Sequence, residues 1–283
     1  MSIQVSDLVI GLGEIGKPIF TLLEEGYGKQ QVKGRDINGP LWPARVFKYL
    51  HICYPQVPDF PQTVFDYAKQ YQVENIIIHA TVCPAMLNII KAHFEDDDYS
   101  PTLWYSPVRG NVQDGMLEGL RGYTKYIAPV TWNQSDLHPG VSVEVVDGMI
   151  DHMRNGGFNV KMVSSAEALV YAKIIDLAWY GTNIAFYQEI ERMCEAASIP
   201  IDIIHEFIES TVPESGGKVS RKTFHGGFIG GHCVIPGIEK ILGSYQSALL
   251  EAVLQSNSLR EQELAFGVPD HHPKGRKLHP KNA

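Results

Sequence analysis

Apolar positions in the first half of the chain come in short runs divided by turn residues and by stretches of helical spacing. DLVI is a compact apolar run, and the segment from Gly16 to Gly26 that follows has an amphipathic helical pattern. QVKGRDIN reads as the next strand and VFKYLHICYP as a third, ending at Cys53, Tyr54 and Pro55. Phe60, Val64, Tyr67 and Tyr71 recur at helical spacing. ENIIIHATVCP is a buried strand ending near Thr81, LNIIKAHF is helical, and PTLWYSP and TKYIAPV are further strands. Strands alternating with helices predict an α/β fold, a Rossmann-like, doubly wound parallel sheet. Ligands bind such sheets at the carboxyl ends of the strands. Gly11, Asp36, Tyr54, Thr81 and Ser106 are all placed at such ends.

The second half changes character. SSAEALVYAKIIDLAWYGTNIAFYQEIERMCEAASI is one long helical pattern without an internal proline. Ser164 or Ser165 can cap it, and Glu167 completes a capping box with Ser164. Its apolar residues recur all round, which predicts burial on more than one side and a spine between domains or subunits. PIDIIHEFIEST gives a second helix, and the stretch from Glu239 to Phe266 gives one or two more. The expected organisation is a dinucleotide-binding domain over 1–163, a helical dimerisation and substrate domain over 164–266, and a mobile basic tail over 267–283.

Composition narrows the class. With 44% apolar and 20% charged residues the chain is an ordinary globular protein. A net charge of −8 argues against a general nucleic-acid binder. No run approaches a membrane span, and MSIQVSDLVIGLG lacks a signal-peptide pattern, so a cytoplasmic protein is expected. Cys53, Cys83, Cys194 and Cys233 match no ligand spacing and read as reduced thiols. His232 beside Cys233 has no second cluster to complete a metal site, so no metal is expected.

Gly11, Gly13 and Gly16 form G-x-G-x-x-G between a strand and a helix. The first glycine makes the tight turn, the second admits a pyrophosphate, and the third lets helix and strand pack closely. Asp36, twenty residues beyond Gly16, is placed to accept from a ribose 2′-hydroxyl, which favours NAD over NADP. Lys33 and Arg35 flank it, and Glu14 inside the loop must point to solvent to tolerate phosphates. Farther on, GFIGGHCVIPG carries Cys233 in a bare glycine loop, which points to a close approach by another molecule. Lys173 sits in the long helix amid Ala172, Ile174 and Ile175, where it either snorkels to water or serves a site. His232 reads as a rim residue or as a substrate hydrogen-bond donor.

Five segments in order, GLGEIG, CYPQ, ATVCPAM, SPVRG and GGHCVIP, resemble successive motifs of the UDP-glucose/GDP-mannose dehydrogenase family. The long helix resembles that family's central helix. The resemblance spans residues 5 to about 265 and implies NAD as cofactor, bound by Gly11, Gly13, Glu14, Ile15, Gly16, Asp36, Tyr54, Pro55 and Thr81. It implies Cys233 as the nucleophile forming a thiohemiacetal and then a thioester, with Lys173 steadying the oxyanion and Thr81 positioning water and cofactor. Arg109, Gly231 and His232 would meet the substrate, and the assembly would be a homodimer.

Three departures stand against that pattern. The family's glutamate in the fourth segment is Val108, its asparagine four residues beyond the lysine is Leu177, and its aspartate four residues beyond the cysteine is Gly237. Each loss of such a donor or base costs roughly 10²–10⁴ in rate. The family's C-terminal UDP-binding domain has no counterpart past the last predicted helix, so the substrate is expected to be either a sugar nucleotide or a smaller sugar-like alcohol. A partner chain completing the site is a further possibility. Two alternatives stay open: a two-electron dehydrogenase using Lys173, and a non-catalytic dinucleotide-binding protein.

Overall fold

The computed structural model describes residues 6–39, 41–42, 47–95, 98–110, 115–130 and 141–268. The N-terminal five residues and most of the expected basic tail, 269–283, fall outside the described residues. Compactness divides the chain into two units, Met1–Lys173 and Ile174–Ala283.

The first unit is a seven-stranded sheet in the order β2-β1-β3-β4-β5-β6-β7. Its strands are β1 (Asp7–Ile10), β2 (Val32–Arg35), β3 (Tyr49–Ile52), β4 (Asn75–Ile78), β5 (Thr102–Tyr105), β6 (Lys125–Pro129) and β7 (Val160–Met162). The first five are mutually parallel, as the alternation of elements predicts. β6 departs from the expected all-parallel sheet: it runs antiparallel to β5, with Tyr105 opposite Ala128. The chain leaves β5 and comes back on the same side, where Lys125 Nζ donates to the carbonyls of Ser106 and Pro107. A strand starting there can only run backwards. β7 then pairs parallel to β6.

Period-two alternation splits the sheet's side chains between two apolar layers. Leu8, Ile10, Leu50, Ile52, Ile76 and Ile78 pack with α2 (Phe60–Tyr71) and α3 (Met86–Ala92). Val9, Tyr49, Ile77, Trp104 and Ile127 pack with α1 (Gly16–Tyr27), α4 (Met116–Gly122) and α5 (Val143–Asn155). Each fully buried aliphatic side chain contributes about 1.5–3 kcal/mol of transfer free energy. The sequence pattern left α4, α5 and β7 unassigned.

The long helix is α6 (Ala166–Ala197). Its cap is Ser165, whose Oγ accepts from Ala168 N at 3.0 Å. The unit boundary falls inside α6, after Lys173. In the second unit α7 (Ile201–Glu214), α8 (Val234–Leu242) and α9 (Ala248–Ala265) follow. Ile174, Ala178 and Ala185 of α6 pack with Ile238, Ile241 and Val253. Among the described residues no helix is long and apolar enough to cross a membrane.

Candidate functional site

The strand order reverses at β1, between β2 and β3, which is where open α/β sheets form a ligand crevice. The glycine loop sits there. Gly11 adopts φ +88°, and a Cβ on it would lie 2.8 Å from the Tyr54 backbone nitrogen. A Cβ on Gly16 would lie 1.7 Å from the Gly11 carbonyl oxygen, so only glycine lets α1 start so close to the turn. Gly13 differs: no atom lies within 4 Å of where its Cβ would be. Two glycines therefore serve packing, and the third leaves open space where a pyrophosphate can approach. Ile15, at the N-cap of α1, provides no side-chain cap, and no acid occupies the first turn. Glu14 is exposed to solvent, as the loop requires. These features fit a dinucleotide's phosphates.

Asp36 follows β2 and is exposed; its Oδ1 accepts from Ile37 N at 2.9 Å, which fixes the carboxylate while leaving it open to solvent. The flanking cations are engaged elsewhere. Arg35 donates to the Tyr71 hydroxyl at 3.2 Å and lies over the Tyr67 ring. Lys33 lies over the Trp42 ring. Tyr54 turns its hydroxyl to Thr63 Oγ1 at 2.9 Å and packs its ring edge-on against Phe60, so its backbone rather than its ring faces the glycine loop. Pro55 is exposed beyond it, and Thr81 is half-buried in the loop after β4. Arg109 rests its guanidinium near the rings of Tyr123 and Tyr126. Val108 is buried in the apolar layer under α4 and α5.

A residue the sequence pattern did not single out stands at this same end of the sheet. Lys125 is buried, with its ammonium on two backbone carbonyls. Burial lowers its pKa to about 7; the Cys53 thiol opposes the fall, and the charge of Lys173 adds to it. Lys173, half-buried near the start of α6, is thus in electrostatic reach of the carboxyl end of the sheet. Burial pushes the Cys53 thiol up to about 12, which suits its expected role as a small apolar residue.

The cysteine loop belongs to the second unit. Asn257 of α9 accepts from Ile229 N at 2.7 Å and donates to Ile229 O, and Gln188 of α6 donates to Gly227 O at 2.8 Å. Glu191 accepts from Gly226 N and is itself held by Arg260 at 2.7 Å. A Cβ on Gly226 would lie 2.7 Å from Gln188 N, so glycine is needed for the loop to lie on α6. Beyond these anchors Gly231 takes φ +84°, and Gly231, His232 and Cys233 are exposed. Cys233 is the N-cap residue of α8 and is in no disulfide. A thiolate there meets the positive end of a helix dipole. One turn on, Gly237 is buried, and a Cβ on it would lie 2.9 Å from Leu177 Cδ1 and 3.2 Å from Leu177 Cβ. The two departures in this unit therefore touch: an apolar side chain on α6 fills the space of an absent one on α8.

No family model matches the chain, and no curated protein sequence does. Solved structures do. A UDP-D-ManNAc dehydrogenase from Pyrococcus horikoshii superposes with TM-score 0.71 at 14% identity, over 92% of this chain and 70% of that one. A UDP-glucose dehydrogenase from Pyrobaculum islandicum gives 0.66 at 14%, over 94% and 72%. The fold is shared with UDP-sugar dehydrogenases. It is shared also with a 3-hydroxyisobutyrate dehydrogenase of Mycobacterium tuberculosis, at TM-score 0.61 and 11% identity, over 95% of this chain and 96% of that one.

Proposed function

We propose that the chain is an NAD-dependent dehydrogenase that oxidises a sugar-type primary alcohol, with Cys233 as nucleophile. The observation that carries the reading is the glycine loop at the sheet's switch point, packed on Tyr54 at Gly11 and open at Gly13. The solved neighbours named as dehydrogenases support the same class.

The glycine loop and the start of α1 would hold the pyrophosphate, and Asp36 the adenosine ribose. Engagement of Arg35 and Lys33 with aromatic rings favours NAD over its 2′-phosphorylated form. NAD held there would accept one hydride per molecule, so the two oxidations would use two in turn. In the first, the alcohol carbon gives the hydride and its hydroxyl proton passes to water; for the second, the chain's own residues must make the carbon a hydride donor again. An aldehyde has no carbinol hydrogen to give, so the Cys233 thiolate adds to its carbonyl carbon and forms a thiohemiacetal. Lys173 steadies the oxyanion. Loss of the second hydride leaves a thioester on Cys233; water attacks it, the acid departs and the thiol is restored. Thr81 would position the water, and Arg109, Gly231 and His232 would meet the substrate.

A second reading, two-electron oxidation with Lys173 as acid/base and Cys233 a bystander, is favoured by the Leu177–Gly237 contact, which replaces two polar positions with apolar packing. A homodimer through the exposed side of α6 is part of the proposal, as is action in the cytoplasm.

NADH fluorescence with UDP-sugars, GDP-mannose and small sugar alcohols tests this, alongside mass spectrometry of the protein for an adduct on Cys233. Acid formation that Cys233→Ser abolishes, with release of aldehyde, is the expected result. Turnover unaffected by Cys233→Ser would establish the second reading. No turnover across the panel, with NAD binding demonstrated in the same samples, would leave a non-catalytic binding protein.

A further inference from the structure

The apolar layer between the sheet and α1, α4 and α5 contains a row of polar side chains that the dehydrogenase reading does not use. Asp7 of β1, His51 of β3 and His152 of α5 are buried there. His51 Nε2 lies 2.9 Å from Asp7 Oδ1, and His152 Nε2 lies 3.0 Å from the same oxygen. The three groups each offer a ligand atom, all within 4.8 Å of one another.

The outer nitrogens of both imidazoles are already committed. His79 Nδ1 lies 2.9 Å from the Ser106 carbonyl, which can only accept, so that nitrogen carries the hydrogen. The other nitrogen of His79 then accepts from His51 Nδ1 at 3.0 Å. The Tyr27 hydroxyl donates to the His152 carbonyl at 2.7 Å, so its oxygen accepts from His152 Nδ1 at 2.9 Å. With these outer bonds, each ring in its neutral form would turn a lone pair on Nε2 inward. Both lone pairs face the Asp7 carboxylate, another acceptor. His152 Nε2 and Asp7 Oδ2 are buried and make no hydrogen bond. Stacking fixes the geometry: the Tyr49 ring lies 3.5 Å from that of His152, centroid to centroid, with planes 10° apart. Three acceptors gathered around one oxygen, the two imidazoles each oriented by an outer hydrogen bond, resemble a metal centre with its supporting shell.

We propose that Asp7, His51 and His152 bind a divalent transition-metal ion of the zinc type as a closed structural centre that ties β1, β3 and α5 together, with Asp7 Oδ2, buried and without a hydrogen bond, as the fourth donor. Two imidazoles and a carboxylate suit zinc or cobalt(II). Bonds of about 2.0–2.2 Å set neighbouring ligand atoms about 3 Å apart at right angles and somewhat farther at tetrahedral angles, so the two nitrogen–oxygen separations of 2.9 and 3.0 Å need little or only modest expansion. The centre lies at the amino-end side of β1, on the strand that leads into the glycine loop, and it requires no part of the proposed reaction.

A closed centre loads during folding. The full chain is therefore expressed in minimal medium supplemented with cobalt or zinc, and bound metal is measured by mass spectrometry after gel filtration. The expected result is roughly one equivalent per chain, with visible cobalt d–d bands. X-ray absorption on the wild-type protein should show nitrogen and oxygen neighbours including two imidazoles, and no sulfur. Tyr27→Phe, which removes only an outer hydrogen bond, should weaken retention against a chelator about tenfold or more. Asp7→Asn should abolish it, whereas Cys233→Ser should change nothing. The proposal is overturned if folded wild-type protein carries only substoichiometric metal, which would mean that protons occupy the cluster. It is equally overturned if sulfur appears in the metal's shell, or if folded Tyr27→Phe and Asp7→Asn retain metal as the wild type does.

Discussion

Leu177 and Gly237 constrain each other. With Leu177 Cβ only 3.2 Å from where a Cβ on Gly237 would stand, rotating the leucine cannot make room. Gly237→Asp alone should therefore overpack the α6–α8 contact and cost about 1–3 kcal/mol. Leu177→Asn combined with Gly237→Asp keeps the branched shape of the opposing side chain but replaces its two methyls with a less bulky amide, which offers the carboxylate a hydrogen-bond donor. The double variant should recover part of that loss, with a coupling of about 0.5–3 kcal/mol in urea unfolding. Additive effects would mean that the two positions do not act as a pair. The same double variant probes chemistry, since it restores the two polar groups that the family resemblance expects near Cys233. A gain in acid formation over the wild type would mark the present contact as what limits the four-electron reaction. Both departures were legible once the chain was set against the family it resembles. Their contact was not, because sixty residues separate them and only the packing of α8 on α6 brings them together.

At the scale of elements, the turn from β1 to α1 separates packing from binding. Gly16→Ala places a methyl 1.7 Å from the Gly11 carbonyl oxygen, and backbone cannot yield as a side-chain tip does. It should cost several kcal/mol, of the order of the larger single-site effects known for cores. Gly13→Ala meets no atom within 4 Å and should leave the thermal midpoint nearly unchanged. It should still weaken NAD binding about tenfold or more in fluorescence titration, because the added methyl occupies the pyrophosphate's approach. Equal NAD affinity in Gly13→Ala and wild type would argue against this loop as the phosphate site. The loop was legible because its glycine spacing is local and each glycine has a local cause. The reversal of β6 was not, since its direction depends on where Lys125 meets the carbonyls after β5. The row of Asp7, His51, His79 and Lys125 was missed for a related reason. Each is one polar residue at a strand or strand end, and only the sheet register joins them.

At the scale of the whole molecule, α6 gives the clearest argument for assembly. Ile175, Trp179, Phe186 and Met193 are 55, 58, 57 and 59% exposed, at spacings of four, seven and seven residues. Those spacings keep the four within a narrow stripe on one side of the helix. Other positions on the helix, Ile174, Ala178, Ala185 and Ile190, are buried within the chain. The pattern of apolar residues all round the helix was legible as a demand for more than one packing surface, and one chain meets only part of it. A second copy related by a two-fold axis would cover the stripe with its own, the commonest closed arrangement. Burying side chains of this size contributes about 1.5–3 kcal/mol each, so four per chain can outweigh the entropy of association. Trp179→Glu with Phe186→Glu should then halve the mass found by light scattering, from twice the chain mass to the chain mass. The circular dichroism of the first unit's sheet should persist, since the stripe lies beyond Lys173, where that unit ends. A wild-type protein that scatters as a single chain would leave the stripe to another partner and would remove the dimer from the proposed enzyme. If monomeric Trp179→Glu/Phe186→Glu protein keeps NAD binding but loses turnover, assembly acts on the helical unit and its cysteine loop, because the glycine loop lies wholly within the first unit.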